Sequence, residues 1–301
     1  MRAVVFAYHN VGVRCIQVLL ARGVEIALVV THADNPAEQI WFDSVAALCA
    51  EKNIPVVMPD DPSSDTLFKQ ISAIAPQMIF SFYYRHMLPV RTLALAANGA
   101  FNMHGSLLPK YRGRVPINWA VLHGEETTGA TLHEMVAKPD AGAIVAQTAV
   151  PILPDDTAHE VFGKVVVAAE ITLWNVLPEM LAGRTPRLPN DVTQGSYFGG
   201  RKAADGCIDW QQSAQTIYNL HRAVAPPYPG AWTVLAEATY VIGAARMSSR
   251  SFTHLLPGLA VVDNAIFGIG NDGKALKIVS LLRDGQLVSA DTLQQQLDTL
   301  T

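Results

Sequence analysis

The chain is sparing with charge and with cysteine. Only 16% of its 301 residues are charged against 50% hydrophobic, and 22 Lys and Arg against 26 Asp and Glu leave a net charge of −4. No global positive field is there to draw in a nucleic-acid backbone. The three cysteines, Cys15, Cys49 and Cys207, form no Cys-x-x-Cys, which argues against structural zinc and for reduced core thiols. The nine histidines include no His-Glu-x-x-His, so no metal centre is expected. No uninterrupted apolar run reaches bilayer-spanning length. The opening Met-Arg-Ala-Val-Val-Phe-Ala enters a strand at once and lacks the core of a secretory signal, so a cytoplasmic protein without a membrane partner is expected. A hydrolase elbow is missing too: Ser106 follows Gly105, but Leu108 stands where Gly-x-Ser-x-Gly needs its second glycine.

What is present alternates. Apolar runs over 2–7, 25–31, 56–57, 78–82 and 100–104 read as strands. They are separated by helix-like periodicity over 11–21, 41–52 and 89–97, and by a helix opened by the capping residues Asp61-Pro62-Ser63-Ser64. That pattern predicts a doubly wound, mostly parallel α/β sheet. The turn after the first strand, Tyr8-His9-Asn10-Val11-Gly12, has one glycine where the dinucleotide fingerprint needs three, and no P-loop occurs, so nicotinamide and P-loop chemistry are both improbable. A helix over 117–123, two antiparallel strands over 129–136 and 143–151, and a long helix over 157–181 follow. The stretch Gly183 to Asn190 is rich in turn-formers and reads as a linker. Beyond a helix over 213–224, short strands over 231–235, 239–244, 259–262, 265–269 and 275–281, with Asn271-Asp272-Gly273 as a hairpin signal, predict a small OB-like β-barrel. The expected division is a Rossmann-like domain over 1–188, a linker over 189–200 and the barrel domain over 201–301.

The chain is organised around Ala100-Phe-Asn-Met-His-Gly-Ser-Leu-Leu-Pro-Lys-Tyr-Arg-Gly-Arg-Val-Pro116. Period-two alternation sets Asn102 and His104 on one face at the carboxyl end of a strand, where open α/β sheets bind ligands. The loop after them is cationic, with Lys110, Arg112 and Arg114. Farther on, Asp140 sits in a turn before Ala141-Gly142. An amide, an imidazole and a carboxylate are the groups in this chain that stand out as a chemical set.

That stretch, followed by Asp140-Ala-Gly142, resembles the signature of the 10-formyltetrahydrofolate-dependent formyltransferases. The likeness extends to Ile208-Asp209-Trp210 and to Arg222-Ala223-Val224 with Pro229-Gly230. It implies a folate-dependent formyl transfer with Asn102, His104 and Asp140 as the catalytic triad. Asn102 would hold the formyl oxygen as negative charge develops, and His104 would move the proton. Asp140 would raise the His104 pKa. It further implies a folate site at His86, Met87, Leu88, Arg114 and Val136, Ala137, Lys138, Pro139 and Asp140. Phe6-Ala-Tyr-His9, Thr31-His-x-Asp-Asn-Pro36, Phe80 to His86 and Asp140 to Gln147 are most similar to the subfamily that formylates UDP-4-amino-4-deoxy-L-arabinose for polymyxin-resistance modification of lipid A, although Asn10 replaces its usual aspartate. There a decarboxylase is a fused or separate partner. The region 31–41 holds two acidic residues and no Lys or Arg, which weakens a methionyl-tRNA acceptor. Tyr83 and Tyr84 are candidates to flank the base or sugar, or to be core. Arg201 and Lys202 are candidates to neutralise the diphosphate, or to be a solvated pair.

Overall fold

The structure is a computed structural model and describes residues 1–35 and 40–299. It has two compact units, one of Met1–Pro116, Thr127–Pro151 and Gly163–Gly199, the other of Ile117–Glu126, Ile152–Phe162 and Gly200–Thr301.

In chain order the first half runs β1 (Arg2–Ala7), α1 (His9–Ala21), β2 (Glu25–Val30), α2 (Val45–Glu51), β3 (Val56–Val57), α3 (Asp65–Ile74), β4 (Met78–Phe82), α4 (Val90–Leu93), β5 (Ala100–His104), β6 (Arg112–Gly113), α5 (Pro116–Leu122), β7 (Thr127–Glu134), β8 (Ile144–Pro151), α6 (Ala158–Leu181) and β9 (Tyr197–Phe198). The main sheet has the order β3-β2-β1-β4-β5-β7-β8. Its first five strands are parallel, while β7 runs antiparallel to β5 and β8 to β7. Central β1 and β4 are apolar on both faces, Ser81 excepted, because both faces are covered: every residue of β4 is buried, as is every residue of β1 after Arg2. Val4, Phe6, Leu28, Ile79 and Leu88 share one core cluster with Leu67 and Ile71 of α3. Fully burying one such side chain contributes about 1.5–3 kcal/mol.

Helix boundaries follow the caps. Ser64 caps α3 by accepting from the Leu67 N–H. α2 begins at Val45 rather than at Trp41, because Ser44 accepts from the Ala47 N–H while Trp41 and Phe42 pack on His9. α4 is confined to Val90–Leu93. The Thr31–Pro36 motif lies partly outside the described residues.

By length and mean hydropathy α6 alone among the described helices would suffice to cross a bilayer. Charged residues such as Lys164, Glu170 and Glu179 interrupt any continuous apolar run. Val165, Ala169, Leu173 and Leu177 are fully buried, as in a core helix. Pro178 is accommodated inside it.

The second unit adds α7 (Ala214–Val224), β10 (Ala231–Leu235), β11 (Ala238–Ser251), β12 (Gly258–Val262), β13 (Ala265–Ile269), β14 (Lys274–Arg283), β15 (Gln286–Leu287) and α8 (Ala290–Asp298). Its sheet is antiparallel, in the order β10-β11-β14-β13-β12 with β15 beside β14. Register shifts along the long β11 bend the sheet into a half-barrel with β10 and β12 as its edges. Asn271-Asp272-Gly273 makes the β13–β14 turn. α8 occupies the polar tail and starts at Ser289, which accepts from the Thr292 N–H.

Candidate active site

The site lies in the first unit, where β5 switches from a parallel neighbour to an antiparallel one. Two rows of side chains cross the sheet there. Ser81 of β4, Asn102 of β5 and His133 of β7 form one row; His104, Thr131 of β7 and Gln147 of β8 form the next. Period-two alternation sets these residues on one face. In the second row Thr131 Oγ1 donates to the Ser106 carbonyl (2.6 Å) and accepts from the Leu108 N–H (3.2 Å) and Gln147 Nε2 (2.9 Å). Gln147 also donates to the Leu108 carbonyl (2.9 Å). The loop after His104 is thereby tied to the sheet by side chains of the neighbouring strands.

This loop returns to the imidazole. His104 Nε2 lies 2.7 Å from the Tyr111 carbonyl, an acceptor only, so Nε2 carries the proton and Nδ1 is the basic nitrogen. Asp140 Oδ2 is 3.7 Å from Nδ1 and accepts the Gly113 N–H at 2.8 Å. Gly113 has φ +97, and a Cβ there would lie 2.2 Å from the Phe198 carbonyl oxygen, so only glycine permits this approach. Asp140 itself sits in the left-handed region at φ +51. The structure therefore brings Asn102, His104 and Asp140 into one constellation.

His133 completes it. Its Nδ1–H donates to the Glu134 carbonyl (2.8 Å), leaving Nε2 within 3.1 Å of Asn102 Nδ2 and 3.4 Å of Asp140 Oδ1. Read for metal ligation alone, the sequence shows no role for this histidine. The signal was its alternation with Thr131 on a strand, but which residue it opposes on β5 is a matter of register.

Burial and charge act against one another here. Burial, the larger influence, pulls the His104 pKa below the ordinary imidazole value; Asp140 and the Tyr111 carbonyl pull it up, and His133 adds to the lowering. The net direction is thus opposite to the sequence expectation, because desolvation of the 6% exposed ring outweighs the carboxylate. Burial would raise the Asp140 pKa, but His104, His133 and the Gly113 N–H together hold it well below the usual carboxylate range. A neutral imidazole thus faces an ionised carboxylate.

At the other end of β5 from His104, a cleft of about 320 Å³ is lined by Val90, Leu93, Ala94, Gly99, Ala100 and Glu134 to Ala137, and by none of Asn102, His104, His133 and Asp140. It brings Val136 and Ala137 of the expected folate segment to the start of β5, while Lys138 and Arg114 are exposed. Met87 is open at 61% exposure and His86 is exposed, whereas Leu88 belongs to the core. Tyr84 is core as well, stacked on His32 at 4.2 Å. Tyr83, at φ +56, places its hydroxyl where a Cβ on Gly105 would be, 2.2 Å away, directly after His104. Arg201 and Lys202 lie in the second unit, each tied to Asp205, with Arg201 also over the Trp119 ring at 4.9 Å.

Residues 1–177 match the sequence family described as formyl transferase, and residues 201–296 match the formyl transferase C-terminal domain. The fold is similar to that of WlaRD, a sugar 3N-formyl transferase solved with dTDP and 5-N-formyl-THF, at 19% identity over 95% of this chain and 99% of that one, TM-score 0.74. An N-formyltransferase from Helicobacter canadensis, in complex with folinic acid and dTDP-3-aminofucose, is 18% identical over 92% and 98%, TM-score 0.73. HypX from Aquifex aeolicus, in complex with tetrahydrofolic acid, is 17% identical over 97% of this chain and 46% of that one, TM-score 0.66.

Proposed function

Because the chain belongs to the formyl transferase family, we propose that it transfers the formyl group of 10-formyltetrahydrofolate to the amine of a nucleotide-linked amino sugar, UDP-4-amino-4-deoxy-L-arabinose in particular. One observation carries the reading: an amide, a neutral imidazole and an ionised carboxylate converge at the carboxyl end of β5. A separate cleft with mostly apolar walls opens at the start of that strand. That cleft suits a flat heteroaromatic ring with polar edges, and the backbone of 135–137 and the Glu134 carboxylate offer those edges partners. Val136, Ala137 and Met87 would hold the folate, and Arg114 its acidic end.

The bound folate supplies an electrophilic formyl carbon. Asn102 Nδ2 has two hydrogens; one engages His133, and the other is free to hold the formyl oxygen as it gains negative charge. His104 takes the proton shed by the attacking amine at Nδ1, the nitrogen that faces Asp140. Asp140 and the Tyr111 carbonyl then stabilise the imidazolium, which returns its proton as the donor departs. A resting pKa below that of free imidazole keeps His104 ready as a base. WlaRD was solved with dTDP and the Helicobacter canadensis protein with dTDP-3-aminofucose; the UDP-linked 4-amino sugar is favoured by Phe6 to His9, Phe80 to His86 and Asp140 to Gln147.

The test offers 10-formyltetrahydrofolate with equal amounts of UDP-4-amino-4-deoxy-L-arabinose, a dTDP-3-amino sugar and methionyl-tRNA. Mass spectrometry then identifies the formylated product. The UDP-linked sugar is expected to give the highest kcat/KM; preference for either other acceptor overturns the assignment.

A further inference from the structure

The stretch Gly183 to Asn190 reads as a linker, and so does its continuation to 200, yet it is bonded along its length to the two loops that carry the site. Arg187 pairs with Glu134 at 2.6 Å. Leu188 and Ile144 exchange backbone hydrogen bonds of 2.8 and 2.9 Å. Asn190 Nδ2 donates to the carbonyls of Asp140 (3.0 Å) and Gly142 (2.9 Å), closing the turn between β7 and β8. Ser196 Oγ then accepts the Tyr111 N–H at 2.9 Å, and the Ser196 and Phe198 carbonyls accept the N–H groups of Arg112 and Arg114. One strap thus pins the turn bearing the carboxylate and the loop bearing the carbonyl that orients the imidazole.

Asn190 is the strap residue that bonds Asp140 itself. Asp140 holds a left-handed backbone at φ +51, a conformation that is strained in a non-glycine residue and persists only when its surroundings impose it. Both N–H groups of one amide are spent on the two carbonyls of that turn. The carboxylate meets His104 at 3.7 Å, beyond hydrogen-bond length, so no direct bond between them fixes the distance. We propose that Asn190 is a positioning residue of the formyl transfer, its side-chain amide locking the Asp140 turn so that the carboxylate stays against His104. This rests on the functional reading above.

Two variants and one control test it. Asn190→Ala removes both donors, and Asn190→Asp keeps the size while setting an acceptor against two carbonyls. Each is expected to lower kcat by about tenfold or more, approaching the roughly hundredfold loss that an ångström of misplacement costs, with KM changed less than about threefold. The His104 titration, followed by NMR on the free protein, is expected to move to lower pH, since the carboxylate that raises it is no longer held in place. Asp191→Ala is the control. The Asp191 carboxylate caps the next short turn by accepting from the Thr193 N–H and hydroxyl, so this variant should lose thermal stability while kcat and the titration stay put. If Asn190→Ala and Asn190→Asp only lower Tm, with the titration unmoved, Asn190 is merely structural and the proposal is overturned. If the unaltered chain formylates no acceptor, the functional reading fails instead, and the titration still reports whether Asn190 positions Asp140.

Discussion

Two buried histidines in this molecule have opposite surroundings. His104, at the end of β5, is 6% exposed, and His221, on α7 of the second unit, is 2% exposed. Burial lowers the pKa of both. For His221 the neighbouring charges push the same way, since Arg246 and Arg222 are both cations, and its pKa falls to about 4. For His104 a carboxylate and a carbonyl push back. At His221 the charges reinforce burial; at His104 a carboxylate within reach of Nδ1 opposes it and can stabilise a proton placed there. Burial alone makes a structural histidine; burial opposed by a charge makes a candidate acid–base group.

The largest test of that contrast is deletion. His104→Ala should lower kcat about a thousandfold and Asn102→Ala about a hundredfold, measured as formylated product under saturating donor. His221→Leu should leave kcat within about twofold; a loss comparable to that of His104→Ala would erase the distinction. Asp140→Asn should cost about tenfold or more and shift the acidic limb of the kcat/KM profile to lower pH, because it removes the group that raises the His104 pKa. A shift to higher pH would show that Asp140 acts on some other group. The smallest effect is on stability. His221 falls from 6.5 unfolded to about 4 folded, so its contribution is fully present above pH 6.5 and is lost as pH drops toward 4. Urea unfolding should show a loss on the order of 2 kcal/mol between pH 7 and pH 5 from this group, and His221→Leu should flatten that slope.

The strap shows where reading from sequence stops. Gly183 to Asn190 has no periodicity, and its prolines and glycine mark it as a connection. Nothing local reveals that Leu188 bridges Ile144 or that Asn190 reaches Asp140, since both contacts join residues more than forty positions apart. His133 was hidden in the same way. Its alternation with Thr131 was visible, but facing Asn102 depends on how β7 registers against β5. Ser64, by contrast, is a cap whose signal lies within four residues of what it bonds, and the helix start marked by Asp61 to Ser64 was legible; the start that Ser44 caps, at Val45, was read four residues early, at Trp41.

The amino-acid order by itself determined the alternation of strands and helices, the antiparallel character of the second half, and the placing of Asn102 and His104 on one face, because each follows from periods and caps that span a few residues. The tertiary structure alone decided the meeting of Asp140 with His104, the insertion of His133 between amide and carboxylate, and the net fall in the His104 pKa. Those depend on strand register, on a distant segment closing a turn, and on how much water is excluded, none of which any local stretch of chain encodes.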